Sequence, residues 1–294
     1  METRRFSASV LIGLALGTVS GQASLQQLAP GTLRTTHVLH LPNASLGFAF
    51  ARRNSTVAIV VKPFATGQPI RLVNTHTMKV TRVIAVGDRD VCGLGFYGGT
   101  LFALAANHQP CYWGNGSFSV LRIGGGRIVQ ITPVAGLKTV FPTNLAFGDG
   151  NAYVARVGGE IDSVDLRTGR LSIHRPRRVL AKGEKIVRPR WLGAHRLGVG
   201  GNVVDTRTWR SRRLVAGASG VTGGHGVLVA WGQHGAEVIR GTHRMHVLGD
   251  EPIVEAWIDG DYLYAAVGDA TDVVDLRTGT RVRIVLRWLE LLPG

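Results

Sequence analysis

An all-β repeat fold is predicted by three observations on this chain. Asp-Leu-Arg-Thr-Gly occurs twice, at residues 165–169 and 275–279, and a worn copy reads Asp205, Thr206, Arg207, Thr208, Trp209. Each copy lies between segments in which apolar residues alternate, which is the period of a half-buried strand. No stretch of useful length carries the 3.6-residue period of a helix, which counts against α/β folds and the cofactor domains built on them. A turn repeated in this way describes a scaffold and leaves any chemistry to loops that do not repeat.

Aligned on the repeated turn, the chain divides into units of about 40 residues with four strand candidates each, the plan of a β-propeller blade. In the third unit the candidates are residues 143–147, 152–156, 161–165 and 170–174, with the first two joined by Gly148-Asp149-Gly150-Asn151. The last unit follows suit at 253–258, 262–267, 271–276 and 280–286, with Asp259-Gly260 as its first turn. Asp-Gly between apolar alternations is a strong hairpin signal, because such turns need a positive φ that Gly and Asp tolerate. The same template places units at 44–87, 91–136, 188–217 and 219–250, with Gly124-Gly125-Gly126 as a hairpin turn in the second. The expectation is therefore a β-propeller of six four-stranded blades. A seventh is allowed by residues 36–41, a spare strand that could pair with the last blade and close the ring.

The N-terminus runs from Arg4 and Arg5 through an uncharged stretch at 6–19 to the small residues Gly21 and Ala23. That order is the pattern of a secretory signal peptide, and the apolar run is shorter than the ~20 residues that span a bilayer. The expected organisation is a leader at 1–23, an N-terminal segment at 24–43 and a single propeller at 44–294. No later segment is long and apolar enough to cross a membrane, so the expected location is secreted or bound to the cell envelope.

Cys92 and Cys111 are the two cysteines. Cys92 falls at the junction of the first two blades and Cys111 in the loop between the second and third strands of the second blade. Strand parity puts both on one face, so a disulfide is allowed in an oxidising compartment. It would pin the longest insertion, where Tyr112 and Trp113 stand near Asn107, His108 and Asn115. Flat apolar surface beside hydrogen-bonding groups suits a sugar or a peptide; the alternative is that the aromatics cover the edge of the ring.

Asp88, Asp90, Asp250, Asp269 and Asp272 are carboxylates assigned to the same face, candidates for a channel-mouth acid–base pair or a calcium site if they converge, and surface turn residues if they do not. Asp165, Asp205 and Asp275 are read as structural, accepting backbone N–H bonds within the turn. His225, His234, His243 and His246 crowd the fifth unit, but their spacing matches no zinc pattern and parity divides them between faces, so no metal centre is predicted. No nucleophile elbow or phosphate loop is present.

The formal charge is +15. Arg175, Arg177, Arg178, Lys182, Lys185, Arg188 and Arg190 cross the junction of the third and fourth units, either as a patch for an anionic polymer or as solvated sheet edges. Nucleic acid is a poor partner for an exported chain, and no nucleic-acid module signature is visible.

Residues 153–170, Tyr-Val-Ala-Arg-Val-Gly-Gly-Glu-Ile-Asp-Ser-Val-Asp-Leu-Arg-Thr-Gly-Arg, resemble blades of the PQQ-like and YVTN-like β-propeller repeat families. The resemblance implies a strand, a Gly-rich turn, a second strand ending in Asp and a Thr-Gly turn. The tryptophan that docks PQQ-like blades is absent after Thr-Gly, where Arg170 is followed by Leu171-Ser172-Ile173-His174, so the quinone cofactor is not carried over and no cofactor is predicted. These families hold dehydrogenases, lactonases and scaffolds. The expected function is a monomeric, non-catalytic binding or scaffold module for an extracellular protein, glycan or anionic envelope polymer. The alternative is a lactonase-like or quinoprotein-like enzyme.

Overall fold

The computed structural model describes residues 13–19, 22–28, 35–41, 48–61, 66–113, 116–141, 144–156, 158–177, 189–224, 226–259, 261–268, 270–284 and 289–292. Their regular elements are strands, and they form seven four-stranded antiparallel sheets. Gly13–Val19 (β1), Gln22–Leu28 (β2) and Thr35–His40 (β3) come from the N-terminal end. The next sheet is Phe48–Arg53 (β4), Thr56–Val61 (β5), Ile70–Asn74 (β6) and Lys79–Ile84 (β7). It is followed by Arg89–Tyr97 (β8), Thr100–Asn107 (β9), Phe118–Gly124 (β10) and Arg127–Val134 (β11). Leu145–Gly148 (β12), Asn151–Ala155 (β13), Ile161–Asp165 (β14) and Leu171–His174 (β15) make the third internal sheet. Arg190–Gly193 (β16), Arg196–Val199 (β17), Asn202–Asp205 (β18) and Ser211–Arg213 (β19) make the fourth. The fifth is Ala218–Gly224 (β20), Val227–Gly232 (β21), Gly235–Arg240 (β22) and His243–Val247 (β23). The sixth is Glu255–Asp259 (β24), Tyr262–Val267 (β25), Ala270–Asp275 (β26) and Arg281–Ile284 (β27), and Leu289–Leu292 (β28) returns to the N-terminal strands in the order β28-β1-β2-β3.

The repeat spacing counted six units, and the described residues form one sheet more. Its strands come from both chain ends, where the repeated turn is absent. The spare strand, expected to join the last unit, is instead the outer strand β3 of this terminal sheet.

The repeated turn works as its sequence suggests. Asp165 Oδ1 accepts the N–H of Arg167 at 3.0 Å, the N–H of Thr168 at 2.7 Å and the Thr168 hydroxyl at 2.8 Å. The Gly169 N–H closes the turn onto the Asp165 carbonyl at 2.9 Å, with Gly169 at φ 69°. Asp205 repeats the pattern, but Trp209 occupies the glycine position at φ 56°. A fourth copy went unread: Asn74 Oδ1 accepts the N–H groups of His76 and Thr77 at 2.9 and 3.0 Å, and Met78 takes the glycine position at φ 50°. Trp209 stacks on His174 of the preceding sheet, with ring centroids 3.4 Å apart, and meets Tyr153 edge-on. That packing holds an indole where the backbone alone would favour glycine.

Successive sheets stack face to face. Along β5, Ala58 and Val60 enter a core shared with β8 to β10, while Val57, Ile59 and Val61 enter one shared with Leu25 and Leu39 of the terminal sheet. A strand covered on both sides is apolar at consecutive positions, and each buried aliphatic contributes about 1.5–3 kcal/mol of transfer free energy. Further cores join each internal sheet to the next, through to β24–β26. The first strands of the internal sheets lie side by side in order, β4 on β8, β8 on β12, β12 on β16, β16 on β20 and β20 on β24. This order sorts the connections. Those between second and third strands, and those from sheet to sheet, fall on one face, here the upper; the other hairpins fall on the lower.

Candidate functional site

One upper-face insertion leaves β9 at Asn107 and returns at β10. Its base is tied by the Asn107 N–H to the Ser117 carbonyl at 2.9 Å and by the Asn107 amide to the Ser117 and Ser119 hydroxyls, both at 3.1 Å. A Cys92–Cys111 disulfide then fastens the loop to the inner strand β8, with the Cα atoms 5.6 Å apart and both cysteines buried. Three more bonds fix the tip. The Cys111 N–H donates to Asp90 Oδ2 at 2.8 Å, the Cys111 carbonyl accepts the Val140 N–H at 2.9 Å, and the Trp113 N–H donates to the Pro110 carbonyl at 3.1 Å.

With the backbone held, the loop aromatics stay out. Tyr112 is 40% exposed and Trp113 56%, packed edge to face with centroids 6.5 Å apart. Phe141, 46% exposed, follows the Val140 that bonds to Cys111. His108, at φ 60°, turns its ring Nδ1 to the Asp88 carboxylate on the preceding sheet-to-sheet connection. Asn115, the remaining residue assigned to this loop, lies outside the described residues.

The carboxylates do not gather as one site. Asp88 pairs with His108, and Asp250 stands 4.0 Å from His234 Nδ1 at the rim. Asp90 is fully buried beneath the disulfide, and among the described residues no donor meets its Oδ1. Burial pushes its carboxyl up to about 6 against the lowering effect of the Cys111 N–H bond. Asp272 is also fully buried, but both of its oxygens are taken. Arg283 Nε donates to Oδ1 at 2.9 Å, and Arg281 and Arg283 Nη2 donate to Oδ2 at 2.7 and 2.8 Å. Burial raises the Asp272 carboxyl, and these bonds overcome it and hold it below its ordinary range. Glu251 completes this network by bonding both arginines, tying the sixth internal sheet to the connection that enters it. Asp269 lies outside the described residues.

Of the basic run, Arg175 donates to Glu160 at 2.6 Å, Arg190 pairs with Glu255, and the Arg177 carbonyl accepts the Ser211 hydroxyl. Arg178, Lys182, Lys185 and Arg188 lie outside the described residues, as does His225. His246 Nε2 lies 2.9 Å from the Gly249 carbonyl. Among the described residues no three His, Cys, Asp or Glu side chains gather in a metal-holding group.

No protein-family model matches the sequence, and no curated protein matches it. Solved structures do. Dihydro-heme d1 dehydrogenase NirN in complex with DHE aligns at TM-score 0.55 and 12% identity, over 99% of this chain and 77% of that one. The fold is a β-propeller. BamB from Moraxella catarrhalis aligns at TM-score 0.49 and 13% identity, over 92% of this chain and 87% of its own. At these identities the propeller likeness is one of fold.

Proposed function

We propose that this propeller is exported, sheds its leader and works as a monomeric binding module of the cell envelope or its surroundings, holding a glycan on the ledge of Tyr112 and Trp113. The observation that carries the reading is that large aromatics stay exposed on a loop whose backbone is fixed by a disulfide, so their exposure is built in. Flat rings suit the apolar faces of sugars, and the adjacent Asp88–His108 pair offers groups for the hydroxyls. The disulfide suits an oxidising compartment. A net charge of +15 favours approach to anionic envelope polymers. The enzyme reading needs carboxylates that converge. The arginine bonds to Asp272 and the burial of Asp90 support binding over chemistry.

The test is a glycan array and a peptide array probed with the secreted protein and with the Tyr112→Ala/Trp113→Ala variant. Glycan binding that drops at least about tenfold in the variant, or about 1.4 kcal/mol, is the expected result. Binding that survives the double substitution, binding to peptides alone, or none on either array would overturn the glycan reading.

A further inference from the structure

The terminal sheet contains a strand that the sequence marks for removal. β1 lies inside the apolar run of the expected leader, and Ala23, its expected last residue, lies in β2. β1 pairs with β2 along seven residues, from Gly13↔Leu28 to Val19↔Gln22. It also pairs with β28 through Leu14↔Leu292, Ala15↔Leu291, Leu16↔Glu290 and Gly17↔Leu289. Among the described residues it is the strand neighbour that β28 has.

Removing residues 1–23 leaves two walls and no filling. The outer wall stays fixed, because Ser24, Leu25, Gln26 and Gln27 remain paired with His40, Leu39, Val38 and His37 of β3. Leu25 stays in the core with Val57 and Ile59. The inner wall is β28. Both walls are antiparallel to β1 and therefore parallel to one another, so moving them together would reproduce neither ladder. Each instead presents unpaired N–H and C=O groups to a strand of opposite direction, and a buried ladder left open is costly.

We propose that the mature chain, residues 24–294, carries an open strand slot between Ser24–Leu28 and β28 and accepts an antiparallel strand donated by another envelope protein. The proposal rests on the export reading. The donor is an uncharged segment of about five small and aliphatic residues, the length and chemistry of Gly-Leu-Ala-Leu-Gly, the part of β1 that Ser24–Leu28 and β28 hold in the full chain. The wall facing it carries buried Ser24 and Gln26, joined by a 3.2 Å bond, and a charged donor residue would be desolvated there without a partner.

The experiment begins with the intact mass of the secreted protein. A peptide of residues 13–19 is then titrated into it, followed by fluorescence anisotropy and melting temperature, with an Ala15→Pro peptide as the matched control. The expected result is a mass of residues 24–294, saturable binding by a monomer, a melting temperature that rises with peptide concentration, and at least about tenfold weaker binding of the proline peptide, which lacks a ladder donor. A retained leader would overturn the loss of residues 1–23 that the export reading includes, and this inference with it. A correctly cleaved protein that ignores the peptide, binds both peptides alike, or fills the slot by dimerising would overturn the slot alone.

Discussion

Replacing Asp90 with Asn isolates one buried carboxyl whose contribution to stability has a defined sign. The native group titrates at about 6 against an ordinary 3.8, because it is buried under the Cys92–Cys111 loop with one oxygen on the Cys111 N–H and the other unmet. A carboxyl raised on folding favours the native state most when both states are protonated, below pH 3.8. That contribution is lost as pH rises through the folded value near 6. At about 1.36 kcal/mol per unit, the whole effect is about 3 kcal/mol, of which about 2 kcal/mol falls between pH 4.5 and 7.5. Asn keeps an acceptor for the Cys111 N–H and cannot ionise. The wild type should therefore lose about 2 kcal/mol relative to Asp90→Asn over that interval. The assay is urea unfolding of both proteins across that range, without reductant. Asp272, Glu251 and Asp165, all held low, lose their contribution only as pH falls through still lower values, and they cancel in the comparison. A stability difference that does not change with pH, or one of opposite slope, would refute the reasoning.

Two other perturbations have worked outcomes. Reducing the Cys92–Cys111 bridge, or the Cys92→Ser/Cys111→Ser pair, opens a loop with a sequence separation of 19 and should cost about 3 kcal/mol in thermal or urea unfolding. Glycan binding at the ledge should weaken with it, and unchanged binding would mean that the loop is held by its hydrogen bonds alone. Gly169→Ala and Gly279→Ala test the same turn in two environments, with φ of 69° and 75°. At Gly279 an added methyl would meet only the Met245 sulfur at 4.0 Å, so the cost is the backbone term of about 1–2 kcal/mol. At Gly169 it would lie 2.3 Å from the Pro133 carbonyl oxygen, and Gly169→Ala should unfold at clearly lower urea; equal midpoints would contradict this placement.

The propeller was legible because its signals are local. Turn residues repeat at fixed offsets, alternation has period two, and strand parity alone brought Cys92 and Cys111 to one face, where the disulfide joins them. The Asp165 and Asp205 turns are set by bonds within five residues, and any chain carrying those letters can make them. Asn74 and Met78 escaped notice because the same geometry was made with neither Asp nor Gly. Tertiary structure decided the rest. The pairing of residues 13–19 with 289–292 leaves no trace in either segment, because alternation says that a strand exists and not which strand lies beside it. Val140 comes to the loop only because its N–H meets the Cys111 carbonyl from the connection between β11 and β12. Asp90 and Asp272 read alike in the sequence, and the structure separates them. One sits under a disulfide with an unmet oxygen, and the other is held by Arg281 and Arg283. The turns and alternation were fixed by neighbours along the chain, whereas the charge state and exposure of these side chains depend on which distant groups the fold brings to them.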